Sequence, residues 1–302
     1  MRRAELEDVL SRAGLGVDDI ARADTGHSGQ VFTCSLDGQP GYCRFMPHDK
    51  ARLHIAIDAL LRAHHVPLPE LLAMGLDATA QKGFLIHSVV SGKRLHRWKR
   101  KPESDHVLAA AGKTLADIHA IPCHGYGRLT LRNDRVAGEK DSWRAYLEEV
   151  MPHATLEKLT SAKILSTAER KAFERMFETL AADPPDIRLL HRDYSFSHVY
   201  SDGQRITAII DWGNAISGDP LLDLAMAGHF SRPRFEAVLS GYDREVDHEK
   251  LEQYLAFVAV QKAHWAMKRN AANRQTKFKI LDEMRPVLDR FRRRSLWART
   301  FG

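Results

Sequence analysis

The sequence predicts an α+β protein of two lobes, a small strand-rich one followed by a larger helical one. Three observations point there. Residues 1–88 alternate short β-prone runs with turns, whereas beyond Val89 the apolar residues recur at helical intervals. A chain of 302 residues has ample length for such a core, and it shows no internal repeat or low-complexity linker. Its composition is that of an ordinary globular protein.

The elements follow in order. Ala4–Leu15 has helical spacing, with Leu6, Val9 and Leu10 on one stripe. Asp24–Gln30 is a glycine-bearing turn, and Val31–Leu36 is a strand. Asp37-Gly38 is a hairpin turn leading to a strand at Tyr42–Met46. His48–His65 reads as a helix with Leu53, Ile57, Leu60 and Leu61 on one face, ended by Val66-Pro67. Strands near Leu71–Met74 and Gly83–Ser88 complete this part, and Ser91-Gly92 has the character of a hinge. Helices are expected over 105–121, 142–152, 166–182, 220–239 and 247–270, with one β-prone strand at Ile206–Ile210.

Charge and cysteine usage narrow the function classes. The net charge of +6 is concentrated: 93–101 and 285–299 each carry six basic side chains. Such runs are usually solvated faces, and only Phe291 and Trp297 accompany the second, so no stacking surface for bases is evident and nucleic acid is not an expected partner. Cys34, Cys43 and Cys123 are too few and too far apart for a disulfide framework and read as reduced thiols. The charged start Met-Arg-Arg-Ala-Glu-Leu-Glu-Asp leads into no signal-like apolar region, and no apolar run is long enough for a membrane span. A cytoplasmic location is the expectation. The scattered histidines form no His-Glu-x-x-His, which disfavours a zinc hydrolase.

The chemistry concentrates in residues 189–224. Leu-Leu-His-Arg-Asp-Tyr-Ser-Phe-Ser-His-Val-Tyr opens a loop at Asp193, with His198 five residues on. Asp211 then follows the apolar run Ile206–Ile210. An acid at the mouth of a buried strand is costly unless it is paired or binds a cation. One carboxylate near an acceptor hydroxyl and two ligands near phosphates meet the needs of phosphoryl transfer, which asks mostly for positioning and charge neutralisation. Asp219 and Asp223, in Gly-Asp-Pro-Leu-Leu-Asp-Leu, read as structural, Asp219 capping the helix begun by Pro220.

These residues resemble the active-site loops of the aminoglycoside and macrolide phosphotransferases, which share the protein-kinase-like fold. The similarity spans residues 20–230, with strong motifs at 189–224. His191-Arg192-Asp193 is similar to the kinase His-Arg-Asp. His198 stands where most kinases of this fold place Asn, and the resemblance is to branches that carry His there. Ser195 matches a serine of the 2″-aminoglycoside branch, and Trp212 and Arg44 look like the macrolide branch. Leu115–Pro122, with its Ala-Asp-Ile-His-Ala, also resembles the family.

The resemblance implies the rest. Residues 1–88 would be a nucleotide-binding lobe and 89–302 a helical lobe with the catalytic loop and acceptor site, hinged near Val89–Gly92. Asp193 would accept or orient the acceptor proton, with Ser195 beside acceptor or phosphate. His198 and Asp211 would hold Mg2+. Arg44 would grip the phosphates of ATP or GTP, with the turn at Gly26, Ser28 and Gly29 letting backbone approach them. A kinase helix normally offers Glu to that cation. Here the position falls near Leu53 or His54, and Asp58, one turn on, is the available substitute. The implied function is transfer of a γ-phosphoryl group to a hydroxyl of an aminoglycoside or macrolide. A metabolic kinase of an amino sugar or choline-like alcohol, and a pseudokinase-like nucleotide binder, share these motifs. For a polycationic acceptor, Glu148, Glu149, Asp247 and Glu252 are the acids at hand.

Overall fold

The structure, a computed structural model, describes residues 3–23, 31–97, 105–228 and 232–269. Five antiparallel strands, β1 (Val17–Arg22), β2 (Val31–Leu36), β3 (Gln39–Pro47), β4 (Leu71–Asp77) and β5 (Lys82–Ser88), form one sheet in the order β1-β2-β3-β5-β4. Asp37 and Gly38 both take positive φ, 51° and 77°, the two-residue turn that matches strand twist in a hairpin. Side chains alternate across the sheet. Cys43 and Phe45 of β3 therefore pack with Phe32, Phe84 and Ile86 against Leu6, Val9 and Leu10 of α1 (Arg3–Arg12). Met46 lies on the other face with Leu85 and with Ala51 of α2 (His48–Ala63). The same alternation puts Arg44 on the face that carries α2.

The expected helical character beyond Val89 is only part of the structure. Two more sheets occur there. Strands β6 (Lys93–Arg94), β10 (Val199–Ser201) and β11 (Ile206–Ile209) pair in the order β11-β10-β6. Strands β7 (Tyr126–Arg132), β8 (Arg135–Lys140), β9 (Arg188–Leu190) and β12 (Ile216–Gly218) pair in the order β8-β7-β12-β9. The β7–β8 hairpin turns at Asn133 and Asp134, both at positive φ (50° and 59°), so its signal was a turn pair flanked by strands rich in Arg and Lys.

The helices are α3 (Asp105–Ile118), α4 (Trp143–Val150), α5 (His153–Ser161), α6 (Thr167–Leu180), α7 (Pro220–Gly228), α8 (Arg232–Gly241) and α9 (His248–Arg269). Ser142 caps α4 through the amide of Ala145, and Ser166 with Glu169 forms a capping box on α6. α5 lies where no helix was expected, and the single helix expected over 220–239 is two, α7 and α8. One core joins Leu115 and Ile118 of α3, Trp143, Phe173, Leu189, Leu222 and Phe257, all at most 0% exposed. α3 and α8 meet so closely that a Cβ on Gly112 would lie 1.9 Å from the Val238 carbonyl, and one on Gly241 would lie 1.9 Å from that of Ala109. Both crossing positions require glycine. No described helix is long and apolar enough to cross a membrane.

Candidate active site

Strands β9 and β11 end side by side in purpose: each delivers its chain to a short loop that carries an acid. After β9 come His191, Arg192 and Asp193; after β11 comes Asp211. Arg192 and Asp211 both take φ 66°, a left-handed conformation that is uncommon outside glycine and is held here by surrounding bonds. For the first loop the holder is Asp223 on α7. Its fully buried carboxylate accepts from the amides of His191 at 2.6 Å and Arg192 at 2.7 Å. His119 Nε2 lies 3.4 Å from the same carboxylate, and His119 Nδ1 is 2.8 Å from the Tyr242 hydroxyl. Asp219 receives the Leu221 amide at 3.0 Å, as a cap should, and also the Tyr254 hydroxyl and Lys250.

His191 joins the two loops. Its Nδ1 accepts from the Asp193 amide at 3.2 Å, so its Nε2 carries the proton and donates to the Ile210 carbonyl at 2.9 Å. Burial lowers its pKa and keeps it neutral in this role. Trp212, buried, packs its ring 4.6 Å from that of His191.

Asp193, His198, Asp211 and Arg44 come together as a chain of contacts. The Asp193 carbonyl can only accept, so His198 donates Nδ1–H to it at 2.9 Å. That leaves the Nε2 lone pair free to bind, 4.0 Å from Asp211 Oδ2, while Nδ1 stands 3.7 Å from Asp193 Oδ2. Arg44 reaches Asp211 Oδ1 at 3.2 Å. Ser195 Oγ is 2.6 Å from Ser197 Oγ and 3.4 Å from His198 Nδ1, so its hydroxyl is engaged within the loop. Gly26, Ser28 and Gly29 lie outside the described residues, as do Lys99–Lys101 and the segment 285–299.

The donor set can hold a divalent cation bound by few protein groups. One imidazole nitrogen with its tautomer fixed by a carbonyl, facing one carboxylate, is a usual arrangement for a metal ligand. Among the described residues no group of three or more His, Cys, Asp or Glu side chains is assembled for a metal. Two ligands fit a magnesium ion that also takes phosphate oxygens and water.

Asp58 does not substitute for the helix Glu. It binds Arg62 at 2.6 Å and His87 Nε2 at 2.9 Å, so its charge is satisfied away from Arg44. The side chain of α2 that senses Arg44 is His54, and burial together with that guanidinium lowers its pKa to about 4. It is therefore neutral at physiological pH. Arg44 takes its carboxylate from Asp211 instead. Of the four acids suggested for a polycationic acceptor, three have partners: Glu148 with Arg144, Glu149 with Lys140 and Arg128, and Asp247 with the Lys250 amide that it caps.

Two contributors were not foreseen. The Arg192 guanidinium donates Nε to the Tyr146 hydroxyl at 3.0 Å and Nη2 to Gln261 Oε1 at 2.6 Å, and it meets Met226 Sδ at 3.2 Å. It thereby ties α4, α7 and α9 to the loop. Lys262, the next residue of α9, interacts with Asp193 and Arg192. Neither signal is local in sequence, since α9 lies some seventy positions downstream of the loop, about the length of chain that a helical stripe alone describes.

Comparison with known proteins finds a matching family and similar folds. The model of the phosphotransferase enzyme family (APH) matches residues 19–257. Hygromycin-B 4-O-kinase of Escherichia coli is 23% identical over 225 residues, which is 69% of this chain and 61% of that protein's length. Among solved structures, a thermostable mutant of aminoglycoside phosphotransferase APH(4)-Ia with ADP and hygromycin B superposes with a TM-score of 0.66. It is 19% identical, over 94% of this chain and 97% of that one. Macrolide 2′-phosphotransferase MphH from Brachybacterium faecium gives a TM-score of 0.57 at 17% identity, over 93% and 98%. The fold is therefore the one these phosphotransferases share.

Proposed function

The chain belongs to the phosphotransferase enzyme family, and from that premise we propose that it is a small-molecule kinase. It moves the γ-phosphoryl group of ATP or GTP to a hydroxyl of an antibiotic-like acceptor, an aminoglycoside or a macrolide. The observation that carries this reading is the convergence of Asp193, His198 and Asp211, linked by contacts of 3.7 and 4.0 Å.

In this reading Asp193 takes the proton of the acceptor hydroxyl as that oxygen bonds to the γ-phosphorus. The bond from phosphorus to the β,γ-bridging oxygen breaks, and its electron pair leaves with the nucleoside diphosphate. Bound magnesium would neutralise charge on the β- and γ-phosphates. We assign it His198 Nε2 and the Asp211 carboxylate as protein ligands. Arg44, which pairs with Asp211, turns its planar fork to phosphate oxygens. Asp223 and His191 hold both loops so that these groups need not reorganise at the moment of transfer. The nucleotide lobe would be residues 1–88 and the acceptor lobe 89–302, hinged near Val89–Gly92.

Of the two acceptor classes, the resemblance of Arg44, His198 and Trp212 to the macrolide branch supports the macrolide. The test is mass spectrometry of macrolides and aminoglycosides after incubation with the protein, magnesium and ATP or GTP. One added phosphate on a macrolide supports the reading. Nucleotide binding with no phosphorylated product in either class moves the acceptor to a metabolic alcohol. A protein that binds nucleotide but leaves it intact, with or without acceptor, is a non-catalytic binder.

A further inference from the structure

One carboxylate stands between a fixed cation and the nitrogen assigned to a metal. Arg44 Nη2 donates to Asp211 Oδ1 at 3.2 Å, while Asp211 Oδ2 faces His198 Nε2 at 4.0 Å. Helix α2 explains why Arg44 turns to Asp211. The helix has two acids, and both are placed elsewhere: Asp49 stands beside His48, and Asp58 is held by Arg62 at 2.6 Å and His87 at 2.9 Å. The pair that results joins β3 to the loop after β11. Its side chains keep 34% and 46% of their surface exposed, so burial does not lock it. Packing does not lock it either. Gly213 borders the pair without a side chain, and a Cβ there would lie 3.6 Å from Asp211 Oδ1 and 3.8 Å from Arg44 Nη1.

Such a pair opposes a metal ion in two ways. The guanidinium compensates the charge that makes Asp211 a ligand, and a divalent ion on the same carboxylate would lie within a few ångströms of it. Like charges at that separation repel even in a solvated cleft. Phosphate oxygens relieve both effects, because they accept the guanidinium fork bidentately and release Asp211. A nucleotide without metal meets the opposite difficulty, since Arg44 then leaves Asp211 unpaired beside the phosphates. Each ligand therefore removes the obstacle to the other, which is positive coupling between two bound species.

We propose that Arg44 gates the metal site. It holds Asp211 until the phosphates of a nucleoside polyphosphate draw it away, so that a divalent cation binds with the nucleotide and only poorly by itself. The exchange swaps ionic partners; no covalent bond forms or breaks and no proton moves. The proposal rests on the kinase reading above, from which Asp211 and His198 take their role.

Mn2+ is the probe, and its binding to the full chain is read by electron paramagnetic resonance without nucleotide. Arg44→Met and Arg44→Gln are each expected to bind Mn2+ about tenfold more tightly than wild type, equivalent to about 1.4 kcal/mol. Two replacements of different polarity keep the test valid if one of them fails to fold. Adding His198→Ala to either variant should abolish the gain, which places the ion at Asp211. Mn2+ affinity that is unchanged or weaker in both Arg44 variants overturns the proposal and leaves the kinase reading standing. A gain that survives His198→Ala overturns it too, because the ion then binds elsewhere. Calorimetry of wild type with ADP and Mn2+ separates the two readings: a protein that binds no ADP under these conditions overturns both.

Discussion

His198 donates Nδ1–H to the main-chain carbonyl of Asp193 at 2.9 Å, which aims its Nε2 toward Asp211. One hydrogen bond therefore fixes both the tautomer and the direction of the nitrogen proposed to hold magnesium. His198→Ala should raise the magnesium concentration needed for half-maximal activity about 10- to 100-fold. His198→Asn, which offers an oxygen, should recover most of it for magnesium and less for manganese, since imidazole favours the softer ion. Magnesium and manganese titrations of turnover check this; equal titrations for wild type and His198→Ala would remove His198 from the ligand set.

Asp223 should dominate the stability of the loop at His191–Asp193. Its carboxylate, 0% exposed, serves two backbone amides, and Asp223→Ala leaves both buried without their acceptor. The expected loss is about 3–5 kcal/mol, read by denaturant unfolding. Removing the exposed Arg3–Glu7 pair by Glu7→Ala should cost under about 0.5 kcal/mol.

The α3–α8 crossing should be intolerant of a single methyl group. Gly112→Ala must push the Val238 backbone aside, because the added carbon would lie 1.9 Å from its carbonyl oxygen. Overpacking of this kind costs about 1–3 kcal/mol and shows as a lowered thermal midpoint. An unchanged midpoint would mean that the helices can separate freely.

The parts of this architecture that were legible in the sequence are those specified locally. Asp37-Gly38 announced its hairpin, and the stripe Leu6, Val9, Leu10 its buried helix face. Asp193, His198 and Asp211 are gathered by short loops within one stretch of chain, so the family resemblance of that stretch suggested their meeting. The β7–β8 hairpin was not read from the sequence, although Arg128-Leu129-Thr130-Leu131-Arg132 alternates polar and apolar residues, because its Asn133-Asp134 turn carries no glycine. The partner of Arg44 was not legible either. Helix periodicity places Asp58 one turn from the expected Glu, but it cannot reveal that Arg62 and His87 already hold that carboxylate. Gln261 meets Arg192 only through the packing of α9, which no local pattern encodes.

His54 should make the protein acid-sensitive. Its pKa is about 4 in the folded chain, below the ordinary 6.5 that the unfolded chain regains. As pH falls below about 6.5 the unfolded state takes up a proton that the folded state refuses until about 4. Stability from this group is therefore fully present above that window and is lost as pH falls through it, by at most about 1.4 kcal/mol per unit. Urea unfolding between pH 7 and 5 should show a shallower pH slope in His54→Gln than in wild type. His191, whose pKa is also lowered by burial, adds a slope of the same sign that remains in the variant.

The most direct measurement is magnesium-dependent phosphoryl transfer from ATP and from GTP by wild type and Asp193→Ala, with AMP-PNP affinity determined for both proteins. A kinase in which Asp193 takes the acceptor proton will lose transfer by about 100-fold or more in the variant while its AMP-PNP affinity holds within a few-fold. Equal transfer by the two proteins would contradict the role given to Asp193 and, with it, the central reading of this site.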